Sequence, residues 1–118
     1  MIDPAAVRLA AFVASSEDAI ITETLDGTID SWNRSAERMF GYSTAEAIGR
    51  SSATIVPPEN RVRERELAVR LRTGEPSSRF ESVGLTRDGR RIPISVAMSL
   101  LVAPDGDIIG IARIVRDT

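Results

Sequence analysis

The stretch "IDSWNRSAERMFGYS", residues 29–43, contains a corner at which a strand runs directly into a short helix. Asn33 stands at the expected N-cap, because its side-chain oxygen can accept a hydrogen bond from the free amides of a helix that holds Ala36 and Phe40. Trp32, the one tryptophan of the chain, lies at the joint. The stretch therefore predicts a strand-to-helix corner with an aromatic side chain packed against it.

The residues before and after this corner predict regular elements as well. Upstream, "DAIITET" and "TIDSW" flank a turn at Asp26-Gly27 and predict a β-hairpin. Downstream, Ser43 and Glu46 form a capping-box pattern for another short helix, which Gly49 ends.

A longer helix is predicted between the prolines at positions 57 and 58 and Gly74. Its residues carry dense alternating charge, which is typical of a solvated helix with a modest inner face. The predicted inner face consists of Val62, Leu67, Ala68 and Leu71.

The C-terminal half of the chain has the two-residue period of strands. Residues 79–86 and 91–102 predict two strands joined by a turn, with strict apolar alternation from Ile92 to Leu100. A last strand follows the turn at 104–106. Because both of its faces are largely apolar, it is expected at the centre of the sheet or covered on both sides.

The first residues predict a helix, because Asp3 followed by Pro4 is typical of an N-cap and a first helical position. The helix, expected over about residues 4–14, is apolar on all sides except at Arg8. We interpret this as burial against a second copy of the chain, although alanines can also be plain helix formers that face water. The residues expected at this dimer interface are Val7, Leu9, Ala10, Phe12, Val13 and Ala14.

Composition excludes several functions. The chain has 118 residues, enough for one domain, and a net charge of −2, which does not favour nucleic-acid binding. It has no Cys and no His, and all 15 basic residues are Arg, so cysteine or histidine metal sites and Schiff-base chemistry are excluded. With no secretion signal and no bilayer-spanning segment, the expected location is the cytoplasm.

Three segments, "IDSWNRSAERMFGYSTAEAIGR", "RDGRRIPISVAMS" and "DGDIIGIARIVRDT", together resemble a PAS domain over about residues 17–118, with residues 1–16 as an N-terminal helix. The resemblance implies an α+β fold with a five-stranded antiparallel sheet in the order 2-1-5-4-3 and short flanking helices. It also implies a sensory or dimerising module of a larger signalling protein, such as a histidine kinase, a cyclic-dinucleotide enzyme or a transcription regulator. Asp117 and Thr118 resemble the end of the signature that passes the signal to an effector domain, which is expected after this chain.

The resemblance also bears on cofactors. In oxygen-sensing haem relatives a histidine of the long helix binds iron, and the equivalent position here is Glu64, so histidine-ligated haem is excluded. Photosensory flavin relatives need a reactive cysteine, which the chain lacks. A non-covalent flavin close to Trp32, or another small molecule, remains open, and the favoured interpretation is that Trp32 fills the core.

A ligand pocket is expected between the inner face of the sheet and the long helix. Ser82 and Gly84 share the inward parity of Phe80 and would leave room there. Arg113 is expected to point outward, and an inward Arg113 would need an anionic partner, from a Glu or from a ligand. The residues predicted to contact the ligand are Trp32, Phe40, Ile48, Leu67, Leu71, Phe80, Ser82, Ile94, Val96, Met98, Ile111 and Arg113.

The sequence predicts a binding module and no enzyme. Glu64 and Glu66 point apart on a helix and have Arg neighbours, so they are interpreted as salt-bridged surface charges. The serine pairs have no His or Lys to activate them. Two alternatives remain: a ligand-free PAS domain that acts only as a dimerisation spacer, and, less favoured, an unrelated lipid-binding α+β fold.

Overall fold

The computed structural model describes the chain over residues 4–76 and 78–118. The described side chains exclude those of Ala6, Val7, Leu9, Ala10, Ala14, Ser15 and Ser78. The predicted cap at Asp3 therefore lies outside the described residues.

Five antiparallel strands form one sheet in the order β2-β1-β5-β4-β3, which confirms the expected order. The last strand lies at the centre, paired with β1 on one side and with β4 on the other, as its two apolar faces predicted. The strands are β1 (Ala19–Glu23), β2 (Ile29–Trp32), β3 (Ser78–Leu85), β4 (Arg91–Val102) and β5 (Ile108–Asp117).

The helices precede the first hairpin and fill the connection from β2 to β3. In the described residues they are α1 (Pro4–Ser15), α2 (Arg34–Phe40), α3 (Thr44–Ala47) and α4 (Arg61–Arg72), with short 3-10 helices at Ser52–Ile55 and Pro58–Asn60. None of them is long and apolar enough to cross a membrane. The capping box of α3 is present in full, since Ser43 and Glu46 each accept a hydrogen bond from the other's backbone N–H.

Asn33 organises the predicted corner between β2 and α2. Its Oδ1 accepts hydrogen bonds from the backbone N–H groups of Ala36 and Ile20, both at 3.0 Å. Its Nδ2 donates to the backbone carbonyls of Val13 and Asp18. One buried amide side chain therefore caps α2 and joins it to α1 and β1.

The apolar core lies between the inner face of the sheet and the helices. Trp32 is buried there, and its Nε1 donates a hydrogen bond of 2.9 Å to the carbonyl of Tyr42. The space expected beside Gly84 is filled, because a Cβ added at this glycine would lie 2.9 Å from Cε1 of Phe40. The prediction of free room at Gly84 was therefore wrong, since the ring of a distant helix occupies it.

Helix α4 presents a different inner face from the predicted one. Val62 is 63% exposed, so its assignment to the inner face was wrong. Glu64 lies on the inner face of the helix, where apolar residues were expected, and is 4% exposed. Leu71 is buried and Leu67 and Ala68 are partly buried, as predicted. The helix therefore brings a carboxylate into the protein interior.

Candidate functional site

Three charged side chains meet in the protein interior. Arg113 of β5 donates hydrogen bonds to two carboxylates, from Nε to Oε1 of Glu23 at 2.5 Å and from Nη1 to Oε1 of Glu64 at 2.7 Å. The side chain of Arg113 is 6% exposed, and those of Glu23 and Glu64 are each 5% exposed. We refer to Glu23, Arg113 and Glu64 as the buried triad.

Two hydroxyl groups complete the triad. Ser52 donates to Oε2 of Glu23 at 2.7 Å, and Ser82 donates to Oε2 of Glu64 at 3.1 Å. Each carboxylate oxygen therefore accepts a hydrogen bond from a neighbouring side chain. These contacts join β1, β3, β5, α4 and the 3-10 helix at Ser52–Ile55 through one polar network.

The charges of the triad do not cancel. In their ionised forms, two carboxylates and one guanidinium carry one net negative charge. Burying charges is costly unless they are paired and hydrogen-bonded, and a buried ion pair is often no more stabilising than apolar residues of the same volume. A contribution to stability therefore explains the triad poorly, which makes it a candidate for a functional role.

A pocket of about 320 Å³ opens beside the triad. The buried triad and Ile111 belong to its lining, and we call this buried part of the lining the floor. The rest of the lining comes from α4, from residues 25–27 of the β1–β2 turn and from residues 51–53. The volume lies at the lower end of the range typical of small-molecule sites.

The charged groups at the walls of the pocket differ in their partners. The Thr24 hydroxyl donates a hydrogen bond to Asp26 and, with Thr28, lowers the pKa of that carboxyl. Arg61 donates from Nε to the backbone carbonyls of Ala53 at 3.2 Å and Val56 at 3.1 Å, so its guanidinium is tied to the protein. Arg65 and Arg72 also line the pocket, and neither forms an ion pair within the described residues.

Most residues predicted to contact a ligand lie in the core instead of the pocket. Two of the twelve, Ile111 and Arg113, line the pocket, and Ser82 reaches the triad through Glu64. Ile48 is 42% exposed, so its placement in a cavity wall was wrong. The other eight pack in or against two apolar clusters: Trp32, Phe40, Ile94 and Val96 in one, Leu71 and Met98 in the other, Leu67 against the second, and Phe80 against both.

The orientation of Arg113 corrects the favoured prediction. An outward side chain was expected, whereas Arg113 points inward and meets the Glu partners that the alternative required. Glu64 was wrongly interpreted as a surface charge. A signal for its burial was present, since Glu64 lies three, four and seven positions before Leu67, Ala68 and Leu71, on the apolar side of the helix.

The predicted output residues and the described side chains of the predicted interface do not line the pocket beside the triad. On α1, Phe12 is 69% exposed and Val13 is partly exposed, while the side chains of Val7, Leu9, Ala10 and Ala14 are outside the described ones. Asp117 and Thr118 are exposed at the end of β5, and the N–H of Thr118 donates to the carbonyl of Pro93 at 3.1 Å. Arg116 pairs there with Asp18, at the start of β1.

Comparisons with known proteins identify the PAS fold over nearly the whole chain. The family model for the PAS fold matches residues 8–118. A PAS domain from Colwellia psychrerythraea is similar with a TM-score of 0.90 and 23% identity, and the match covers 97% of each chain. A PAS domain of an HTR-like protein from Haloarcula marismortui gives a TM-score of 0.79 and 23% identity, covering 97% of this chain and 92% of that one.

A third solved structure is part of a signalling protein. It is a domain of a sensory box sensor histidine kinase/response regulator from Geobacter sulfurreducens, similar with a TM-score of 0.80 and 22% identity. The match covers 96% of this chain and 94% of that one. At these identities the solved structures establish the shared fold.

Proposed function

Since this chain belongs to the PAS family, we propose that it is a cytoplasmic, non-catalytic sensory module of a larger signalling protein. It binds a small ligand in the pocket beside the buried triad. The similarity to a domain of a sensor histidine kinase/response regulator supports the signalling role. The ligand-binding part depends on one observation, the burial of an uncompensated charge cluster at the floor of a pocket.

The triad provides a route from the pocket to the end of the chain. Arg113 bonds to Glu64 of α4 and stands four residues before Asp117 on the same strand. A ligand that engages Arg113 changes the strength of this bond and thereby the packing of α4 on the sheet. The ligand shifts the signalling state only to the extent that it binds one packing better than the other.

Self-association is the second part of the proposal. We place the dimer contact on α1, at Val7, Leu9, Ala10, Phe12, Val13 and Ala14. The exposure of Phe12 supports this, because a large apolar side chain in water is typical of a contact surface when its neighbours are apolar as well.

Native mass spectrometry of protein purified gently from its own host tests ligand binding. We expect a mass above that of the chain, corresponding to one small molecule. Ala68→Trp should fill the pocket from α4 and abolish the extra mass. Val62→Trp, on the exposed side of the same helix, is the control and should retain it. Thermal unfolding of both variants verifies that they fold.

A wild-type protein that carries no added mass would favour the alternative, a ligand-free dimerisation spacer. One observation supports that alternative. The apolar space between sheet and helices is occupied by core side chains, as the approach of Phe40 to Gly84 illustrates. In that case the pocket beside the triad would hold water, and Ala68→Trp would leave signalling unchanged.

A further inference from the structure

We propose the chemical class of the ligand, an inference that rests on the proposed binding function. The ligand is a small organic acid with an uncharged hydrogen-bond acceptor, such as a ketone or amide carbonyl, at the opposite end from its carboxylate or phosphate. The acceptor enters first and meets Arg113. The anionic group stays at the mouth of the pocket, between Arg65 and Arg72.

The floor of the pocket offers a free donor edge. Arg113 uses Nε and Nη1 for its two carboxylate partners, and none of the described residues accepts a hydrogen bond from Nη2. Within the described part of the chain, every fully buried side-chain nitrogen and oxygen has a partner, so Nη2 is not fully buried. Arg113 lines the pocket, and the proposal places the N–H groups of Nη2 there.

The charge of the floor decides which acceptor fits there. The guanidinium is already held by two carboxylates, and the triad carries a net negative charge in its ionised form. A second anion bound at Nη2 would lie close to Glu23 and Glu64 in an interior where charges are weakly screened. A neutral carbonyl oxygen accepts the same hydrogen bonds without this repulsion. The floor therefore selects an uncharged acceptor.

The mouth carries a positive excess, because the lining outside the triad contains three arginines, Arg61, Arg65 and Arg72, and one carboxylate, that of Asp26. Arg65 and Arg72 lie seven positions apart, hence two turns apart on nearly the same side of α4, and both line the pocket. Within the described residues neither has an ion-pair partner, in contrast to Arg113 in the interior. Two guanidinium groups on one side of an opening are suited to a carboxylate or a phosphate, which each of them can bind through two N–H groups.

The arginines of α4 provide an internal comparison. Arg70 is exposed and lies on the same helix but does not line the pocket. If the positive charge of α4 served only to keep a surface helix solvated, Arg70 would be equivalent to Arg65 and Arg72. The proposal requires that only the two arginines at the pocket affect ligand affinity.

Four small probes that share a benzene ring separate the two ends of the ligand. They are 4-acetamidobenzoate with acceptor and anion, its methyl ester without the anion, 4-isopropylbenzoate without the acceptor, and terephthalate with an anion at both ends. Isothermal titration against the ligand-stripped wild-type protein should give the lowest Kd for 4-acetamidobenzoate. We expect the Kd of each of the other three to be higher by a factor of about ten or more. This factor corresponds to the loss of one charge-assisted or one buried hydrogen bond.

Variants then locate the anionic end. Combining Arg65→Gln with Arg72→Gln should raise the Kd of 4-acetamidobenzoate about tenfold and leave the Kd of its methyl ester unchanged. Arg70→Gln is the matched control and should change neither. Equal binding of acid and ester, tighter binding of terephthalate, an equal effect of Arg70→Gln, or no binding of 4-acetamidobenzoate would each overturn the proposal.

Failure of this proposal is distinguishable from failure of the proposed function. If native mass spectrometry finds a bound molecule without an acidic group, the protein binds a ligand but the class inferred here is wrong. If it finds no bound molecule and no probe binds, both the ligand-binding function and the ligand class are wrong.

Discussion

Arg113 belongs both to the core of the fold and to the proposed binding site. It stands in the central strand of the sheet, and its partners come from the first strand and from the long helix. It also lines the pocket. Any change at this position therefore affects the stability of the core and the chemistry of the pocket together.

Replacing Arg113 by methionine should strongly destabilise the protein. The substitution preserves much of the side-chain volume but leaves two buried carboxylates without their cation, which typically costs about 3–5 kcal/mol in the free energy of unfolding. Urea denaturation followed by circular dichroism measures this loss.

The exposed pair between Arg116 and Asp18 offers the control for that experiment. Arg116→Met removes an ion pair whose arginine side chain is 65% exposed, so little stability should be lost. Equal unfolding midpoints for Arg113→Met and Arg116→Met would contradict the importance of the buried triad. If Arg113→Met does not fold at all, Glu64→Gln provides a milder measurement, since it keeps the shape and removes one buried charge.

At the level of the element, α2 and α3 each begin at a side chain that accepts a hydrogen bond from a free backbone N–H group of the first turn. Asn33 does so for α2 and Ser43 for α3. The backbone N–H of Ser43 also binds Glu46, and this hydrogen bond is the main cause of the lowered pKa of the Glu46 carboxyl, assisted by Arg87 and Arg50. The stability of this corner should therefore depend on pH.

The contribution of Glu46 should disappear in acid. Because the pKa of its carboxyl is lowered in the folded protein, the stabilisation is present at pH values above the ordinary pKa of a glutamic acid and is lost as the pH falls through the lowered folded-state pKa. Glu46→Gln should therefore be less stable than the wild type at pH 7, and the difference should shrink as the carboxyl of the wild type becomes protonated in acid.

Thermal unfolding from pH 7 to pH 3 measures this convergence. Ala45→Gln, at the neighbouring exposed position of α3, is the control, because it adds the same side chain without removing a carboxylate. Its difference from the wild type should not change with pH. A Glu46→Gln difference that stays constant over the range would show that the capping box does not depend on the charge.

At the scale of the whole molecule, α1 is joined to the core at its C-terminal end. Asn33 donates a hydrogen bond to the carbonyl of Val13 at 3.1 Å, and Ser35 donates to the carbonyl of Ser16 at 2.5 Å. These contacts fix the position of the C-terminal end of α1 relative to the start of α2. They do not cover Phe12, which is 69% exposed.

Deleting residues 1–15 tests the proposed dimer. We expect sedimentation equilibrium to give a dimer for the intact chain and a monomer for the truncated one at the same concentration, with a dissociation constant raised more than about tenfold. Phe12→Ser should weaken association in the intact chain, whereas Ala11→Ser, at the adjacent exposed position, should not. Equally tight association of the truncated protein would show that α1 is not the interface.

The sequence by itself determined the local features of this protein. The Asn33 cap, the Ser43–Glu46 capping box and the bounds of the later strands follow from residue spacing over a few positions, where turn chemistry and apolar period act directly. The order of the strands was expected from the resemblance to a family and agrees with the observed sheet.

Only the tertiary structure decided what lies inside. Arg113 is 90 residues from Glu23 and 49 from Glu64, and the ring that fills the space at Gly84 belongs to Phe40. The alternation of side chains along the strand allowed Arg113 to lie on either the inner or the outer face of the sheet. Helical spacing placed Glu64 beside apolar residues but did not decide whether its charge is buried. Which orientation is stable depends on pairing energy between buried charges, and that energy exists only when distant segments are brought into contact.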